Sequence, residues 1–160
     1  MASEREQRED SDLVATFLLG DAAFGISAAR VQEVVKVGEL TPVHHAAPEV
    51  VGIRNLRGHI ITVLDLRTRL ELGQVELGSE RRILIVDWQG EQVGLLVDAV
   101  SDTLTVNLAE VTPPPPNLHG VQSRHLRGIY RTRERLLALI DPDTLLEVEQ
   151  RSEREEAVRS

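Results

Sequence analysis

The feature that most restricts how this chain can fold is a repeat written into its own spacing. Gly25 and Gly94 lie 69 residues apart, as do Ile26 and Leu95, and Val31 and Val100. Gly52 and Gly128 lie 76 apart, as do Ile53 and Ile129, Asp65 and Asp141, and Leu70 and Leu146. Two offsets differing by seven residues describe one unit present twice, with a longer middle loop in the second copy. The run Pro113-Pro114-Pro115-Pro116, a stiff polyproline loop, falls in that interval. Whatever sheet the first copy makes, the second is expected to make again.

Within the first copy, Leu13–Leu19 and Phe24–Ile26 flank the polar Gly20-Asp21-Ala22-Ala23, which reads as a hairpin. Ser27 is placed to cap a short helix in which Val31, Val34 and Val35 fall at i, i+3 and i+4. Leu40-Thr41-Pro42-Val43 reads as an edge strand, because proline cannot donate to a central ladder. From Val51 to Leu66 the pattern is strand, tight turn at Leu56-Arg57-Gly58, then a second strand that ends on Asp65 as the cap of a helical turn. The second copy restarts with Arg82–Trp88, a turn at Gln89-Gly90 and Gln92–Val97. Asp98–Asp102 reads as a bent or helical turn and Thr103–Val106 as a strand. Leu126–Tyr130 and Leu136–Ile140 pair around Thr132-Arg133-Glu134, and Asp141-Pro142 opens a helix.

About five short strands and one or two helical turns per copy point to a mainly β fold of two small barrels or tightly curled sheets. The expected layout is a disordered leader over 1–12, a first barrel over about 13–72 and a second over about 80–146. A polar connector over 71–80 joins them, and a charged tail follows over 147–160. Two barrels packed together leave a groove between them, where partners bind.

The composition narrows the function classes. There is no cysteine, so neither a disulfide framework nor a thiolate metal site is possible. Net charge is −8, and 17 of the 18 basic residues are arginine, scattered rather than clustered. With only four aromatic residues, the chain lacks the basic patch and the stacking platform that nucleic-acid binding uses. No apolar run approaches the ~20 residues of a membrane span, and the first ten residues are charged rather than signal-like. The expectation is therefore a soluble, cytoplasmic protein without direct membrane insertion.

Residues capable of chemistry are few. His44, His45, His59, His119 and His125 fall in loops or turns without the i, i+4 spacing of a helical zinc pair, so no metal and no cofactor is expected. Ser101 has no histidine near it in the pattern and reads as a turn or cap residue. Asp65 and Asp141 resemble paired carboxylates only until their equivalence in the repeat is noticed, which favours two helix caps. Trp88 ends a strand beside a turn and reads as the cap of one barrel. Val31 and Val34 fit either core or a docking face. Arg57 is either a solvated turn side chain or a cation held on a rigid hairpin for recognition, with Glu33 within reach.

Taken in order, these stretches resemble the CheW family of chemotaxis coupling proteins. The resemblance is carried by Phe24-Gly25-Ile26 with Val31-Gln32-Glu33-Val34, and by Val51-Gly52-Ile53-Arg54-Asn55-Leu56-Arg57-Gly58 with Val63-Leu64-Asp65-Leu66-Arg67. It continues through Val93–Asp102 and Arg135–Asp141, and covers about Leu13 to Leu146. It implies two five-stranded SH3-like barrels and a non-enzymatic adaptor. The implied partners are the hairpin tip of a chemoreceptor, that is, a methyl-accepting chemotaxis protein, and the regulatory domain of a CheA-type histidine kinase. Val31, Glu33, Val34, Gly52, Arg57, Gly94, Val97, Val100 and Leu104 match the receptor-facing groove, with Glu33 and Arg57 as its brace. Leu118 and Val121 match the region that closes kinase–adaptor rings. Thr62 stands where the family usually has proline, and the proline run is longer than usual. The short tail carries no receiver domain, which fits a stand-alone adaptor, and a gliding-motility (Frz-type) system is a variant of the same reading. The competing expectation is a small-molecule-binding domain or enzyme with its site between the barrels.

Overall fold

The computed structural model describes residues 10–72, 80–118 and 120–147. Most of the expected leader, connector and tail, together with His119, lies outside the described residues. The chain starts with a hairpin of β1 (Ser11–Leu19) and β2 (Ala22–Ser27), followed by a 3-10 turn at Ala28–Arg30 and by β3 (Val31–Lys36). A second hairpin, β4 (Val50–Leu56) and β5 (His59–Asp65), leads into the single turn α1 (Leu66–Arg69). Then come β6 (Arg82–Trp88), β7 (Glu91–Val97) and β8 (Ala99–Asn107). Two-residue strands β9 (Asn117–Leu118) and β10 (Val121–Gln122) precede β11 (Leu126–Arg131), β12 (Leu136–Ile140) and a helical turn α2 over 142–147.

The long strands form two five-stranded sheets. Sheet A runs β11-β12-β2-β1-β8 and sheet B runs β4-β5-β7-β6-β3. Strand for strand the two orders are the same under the repeat, down to the one parallel pair in each. In sheet B, Thr62 faces Val93 and Val63 faces Gly94; in sheet A their counterparts Ala138 and Leu139 face Phe24 and Gly25. Register shifts also recur in equivalent places, between Val50 and Gly52 and between Leu126 and Gly128. The duplication inferred from spacing is thus present in the hydrogen bonding.

The division of the chain differs from the expected one. Residues 13–72 and 80–146 do not each form a sheet. Sheet A takes β1 and β2 from the first copy and β8, β11 and β12 from the second, while sheet B takes β3, β4 and β5 from the first and β6 and β7 from the second. Each copy lends its partner a hairpin. Parallel neighbours require a long connection rather than a tight turn, and the exchange supplies it. Each sheet is drawn round on itself by one bridge to its β4-type edge. Thr41 N donates to Ile53 O (2.9 Å) and Ile53 N to Thr41 O (2.8 Å); Thr112 and Ile129 repeat this at 2.9 and 2.8 Å. Of the expected edge strand at residues 40–43, Thr41 makes the only strand pairing, and Pro42 ends it.

Two further expectations are corrected. The segment expected to be a helix after Ser27 is a 3-10 turn, with no side-chain cap from Ser27, and then a strand. Val31, Val34 and Val35 therefore share no face. A bulge between Val31 and Glu33 turns Val31 onto the central core and Val35 onto the core of sheet B, and leaves Val34 exposed. Three valines in five residues favour the pleated surface over a helix. Asp98–Asp102 is likewise no helical turn: apart from Asp98 it belongs to the long strand β8. Asp65 and Asp141 both cap as expected. Asp65 Oδ1 accepts the Arg67 amide at 3.0 Å, and Asp141 Oδ1 accepts the Asp143 amide at 3.0 Å.

Three apolar layers hold the sheets. Each sheet has its own small core, around Val14, Val106 and Leu139 in sheet A and around Val63, Ile83 and Leu96 in sheet B. The largest core lies where the sheets meet, with Phe17, Phe24, Leu64, Leu84, Trp88, Leu95 and Ile140. Gly25 and Gly94 mark equivalent close approaches within the two sheets. A Cβ on Gly25 would lie 2.5 Å from Val14 Cγ1, and one on Gly94 would lie 2.8 Å from Ile83 Cγ2. Where the chain crosses from sheet B to sheet A, Asp98 accepts from Arg67 Nη1 (2.8 Å) and from the Gly20 amide (2.6 Å), and Arg81 Nε lies 3.5 Å away. Arg67 and Arg81 are buried, so removing the Asp98 carboxylate would take a charge partner from each of two buried cations.

His125 is buried at the entry to β11, where its carbonyl accepts the Asp141 amide at 2.8 Å. Burial first, and then the nearby Arg69 and Arg124 cations, push its pKa down to about 4. Between the ordinary value near 6.5 and about 4, the unfolded chain holds a proton that the folded chain refuses. Stability is therefore fully present above about pH 6.5 and falls as the pH drops through that window, by up to about 3 kcal/mol. Urea unfolding of the intact protein and of His125→Gln across this range should show a clearly flatter acid dependence in the variant. Equal slopes would mean that His125 does not govern the acid response.

Candidate functional site

The position of Arg57 follows from the turn that carries it. Arg57 and Gly58 alone join β4 to β5, with φ of 51° and 86°. A two-residue hairpin loop needs both central residues left-handed to match the twist of its strands, and glycine meets that need without strain. Asn55 Oδ1 accepts the Gly58 amide at 3.0 Å and fixes the loop. The arginine therefore leaves a rigid backbone at the tip of the hairpin.

It reaches Glu33 on β3. Arg57 Nη1 donates to Glu33 Oε1 at 3.0 Å and Nη2 to Oε2 at 2.8 Å, a two-pronged pair in which the guanidinium plane matches the carboxylate. Because β3 and β4 are the two edges of sheet B, the pair spans the mouth of the curled sheet. The Arg57 side chain is 72% exposed and that of Glu33 29%. Solvent therefore screens the attraction, and the pair orients side chains more than it stabilises the fold. The hydrogen bonds from Arg57 hold the Glu33 carboxyl below its usual range, and the same bonds raise Arg57 above its own.

Beside the pair lies an open cavity of about 950 Å³. Ile60 lines it and is 64% exposed, Trp88 and Leu146 contribute apolar surface from the central core, and Gln92, hydrogen-bonded to Gln32, borders it. An apolar floor with an oriented charge pair at its rim suits the docking of an apolar segment.

The residues matched by resemblance divide into five groups. Glu33 and Arg57 line this cavity. Val34, 45% exposed, and the half-buried Val31 stand on the same strand. Gly52, Gly94 and Val97 are buried, Val97 at 0% exposure, and do not line the cavity, so they offer no surface to a partner. A Cβ at Gly52 would lie 2.6 Å from the Thr41 carbonyl that bridges the sheet edge. Val100 and Leu104 stand on β8 in the other sheet, and Leu104 lines a separate cavity. Leu118 and Val121 pair with each other in the β9–β10 hairpin within the longer loop of the second copy. Val121 is fully buried and Leu118 half-buried.

Three residues that the resemblance did not supply belong to the site. Ile60 was legible: with Ile61 and Val63 pointing inward, the alternation of a strand sends Ile60 outward. Trp88 serves the central core and the cavity together rather than capping one barrel. Leu146 comes from α2, and no local sequence pattern places α2 beside the cavity that Arg57 lines. Among the described residues no group of three or more His, Asp or Glu side chains is arranged to hold a metal ion, and no helix is long and apolar enough to cross a membrane.

Comparison with known proteins gives the family and supports the fold. A family model described as a CheW-like domain matches residues 13–150. The chemotaxis protein CheW of Rhizobium meliloti (strain 1021) is 32% identical over 140 residues, covering 88% of this chain and 90% of the relative. The protein FrzA of Myxococcus xanthus is 30% identical over 114 residues, covering 71% and 70%. The crystal structure of the scaffolding protein TtCheW from Thermoanaerobacter tengcongensis superposes with a TM-score of 0.78 at 31% identity, covering 84% of this chain and 86% of that one.

The charge pair makes a direct prediction. In a carbon-13-detected titration the Glu33 carboxyl should titrate below the ordinary glutamate range and return to it in Arg57→Ala. An ordinary value in the unaltered protein would show that the pair does not persist in solution.

Proposed function

Since the chain belongs to the CheW family of non-enzymatic chemotaxis adaptors and scaffolds, we propose that it couples a chemoreceptor to a CheA-type histidine kinase. In this reading it works in the cytoplasm, associated with receptor arrays. The observation that carries the proposal is the Glu33–Arg57 brace, which holds both edges of sheet B beside an open cavity of mixed polar and apolar lining into which the exposed Ile60 projects. The hairpin tip of a receptor is an amphipathic helical segment, and a few aliphatic anchors seated near Ile60 and Val34 are enough for specific docking, each contributing about 2 kcal/mol. The oriented charges set the angle at which it lies.

The kinase regulatory domain is assigned to the β9–β10 hairpin. Val121 anchors the hairpin in the core, and contact falls to Leu118 and the exposed Asn117 and Gln122. A gliding-motility pathway of the Frz type falls under the same reading, supported by the similarity to FrzA. The alternative of a small-molecule or catalytic site between the sheets is not favoured by the family.

Two substitutions on exposed side chains test the proposal without disturbing the core. Arg57→Ala and Val34→Asp should each weaken pull-down by a receptor cytoplasmic fragment at least about tenfold, while circular dichroism and kinase binding stay as in the unaltered protein. Receptor binding at full strength in both variants would contradict the assignment of this groove.

A further inference from the structure

The mouth of sheet B carries more negative charge than its own brace neutralises. Besides His59, the titratable side chains that line the cavity of about 950 Å³ are three carboxylates, Glu33, Asp87 and Glu91, against one guanidinium, Arg57. Arg57 is spent on Glu33, which leaves Asp87 and Glu91 in excess. Both are exposed, and among the described residues neither carboxylate has an ion-pair partner. Arg30 passes close to Asp87, yet its Nη2 donates to the Asp87 backbone carbonyl at 3.0 Å and meets Asp143 Oδ1 at 2.9 Å. The two acids stand at the tip of the β6–β7 hairpin, where Gln89 and Gly90 alone form the loop, with φ of 51° and 81°. That is the same tight turn that presents Arg57.

Strand order sets their place. Round the mouth come Glu33 on β3, Asp87 on β6, Glu91 on β7 and Ile60 on β5. The free carboxylates therefore lie one and two strands away from the exposed Ile60. Neighbouring strands are about 4.8 Å apart, and one turn of helix rises about 5.4 Å. A helical segment with an aliphatic side chain against Ile60 brings the residue three or four positions along to the level of these acids.

We propose that the segment docking in this cavity carries a lysine or arginine three or four residues from its aliphatic anchor, and that Asp87 and Glu91 receive that cation. The inference deepens the coupling role and rests on it for the identity of the partner, the receptor tip. The chain itself offers no such occupant. Residues 1–9 hold three glutamates against two arginines, residues 148–160 hold four against three, and a second copy brings a net charge of −8. Like charges meeting across a groove disfavour each of these. The Glu33–Arg57 pair is neutral as a unit and sets orientation, whereas Asp87 and Glu91 select the sign of what enters.

The test uses the full chain and two fluorescein-labelled amphipathic peptides, identical in their leucines and differing only in lysine or glutamate four residues after the central leucine. Fluorescence anisotropy should show the lysine peptide binding at least about tenfold more tightly. That preference should shrink with added salt and vanish in the double variant Asp87→Asn, Glu91→Gln. Both substituted side chains are exposed, so the urea midpoint should not move. Equal affinity for the two peptides overturns the inference, as does absence of saturable binding or a preference that survives in the double variant. A dimer in sedimentation that the lysine peptide dissociates also overturns it, since the occupant is then a second copy. If the peptides are not distinguished while Arg57→Ala and Val34→Asp still weaken receptor pull-down, the cation site fails and the coupling role stands. If the lysine preference holds while the receptor binds both of those variants at full strength, the cation site stands and the receptor is not its occupant.

Discussion

Neither copy of the repeat can complete a sheet from its own strands, and every other property of the molecule follows from that constraint. The β1–β2 hairpin finds its neighbours in β8 and β12, and the β6–β7 hairpin finds its own in β3 and β5. Sequence-distant strands must therefore meet before any core closes, which makes the fold dependent on non-local contacts. The largest core is the one shared between sheets rather than the one inside either. The crossing of the chain from β7 to β8 is pinned at Asp98 by Arg67 and by the Gly20 turn. The groove beside Arg57 inherits this arrangement. Its brace comes from the first copy, while Trp88, Gln92 and Leu146 come from the second.

Comparing the copies separates what folding requires from what is free to vary. Interior positions match in kind: Gly25 with Gly94, Val63 with Leu139, and the capping Asp65 with Asp141. Each is fixed by a close approach or by an otherwise unsatisfied backbone amide. Rim positions diverge, with Glu33 against Asp102, Leu56 against Thr132 and Arg57 against Arg133. No packing demand acts on exposed side chains, so differences between the rims can serve different partners. The asymmetry is the reason recognition is proposed for Arg57, whereas Asp65 caps a helical turn.

Much of this was legible in the sequence, for identifiable reasons. Glycines at matching offsets announced the duplication because only glycine fits where Val14 and Ile83 press on the neighbouring strand. Hairpins were legible where turn residues sit between β-branched runs, as at Arg57-Gly58 and Gln89-Gly90. Which sheet each hairpin joins was not, because an offset reports equivalence and not adjacency. The helix expected after Ser27 failed because a bulge at Val31–Glu33 interrupts the two-residue period and imitates a helical one. Gly52, Gly94 and Val97 matched a groove by resemblance, yet they are buried and do not line the cavity, since a motif records position and not accessibility. Leu146 could be placed only by the tertiary fold.

The central claim is that the two copies fold only by exchanging hairpins. It is tested most directly by preparing residues 10–79 and 80–147 as separate chains and recording circular dichroism and sedimentation for each alone and for the mixture. The account predicts that each chain alone lacks a cooperative unfolding transition, and that mixing yields a one-to-one complex with the β signature and transition of the intact protein. Independent, cooperative folding of either piece as a monomer would contradict it.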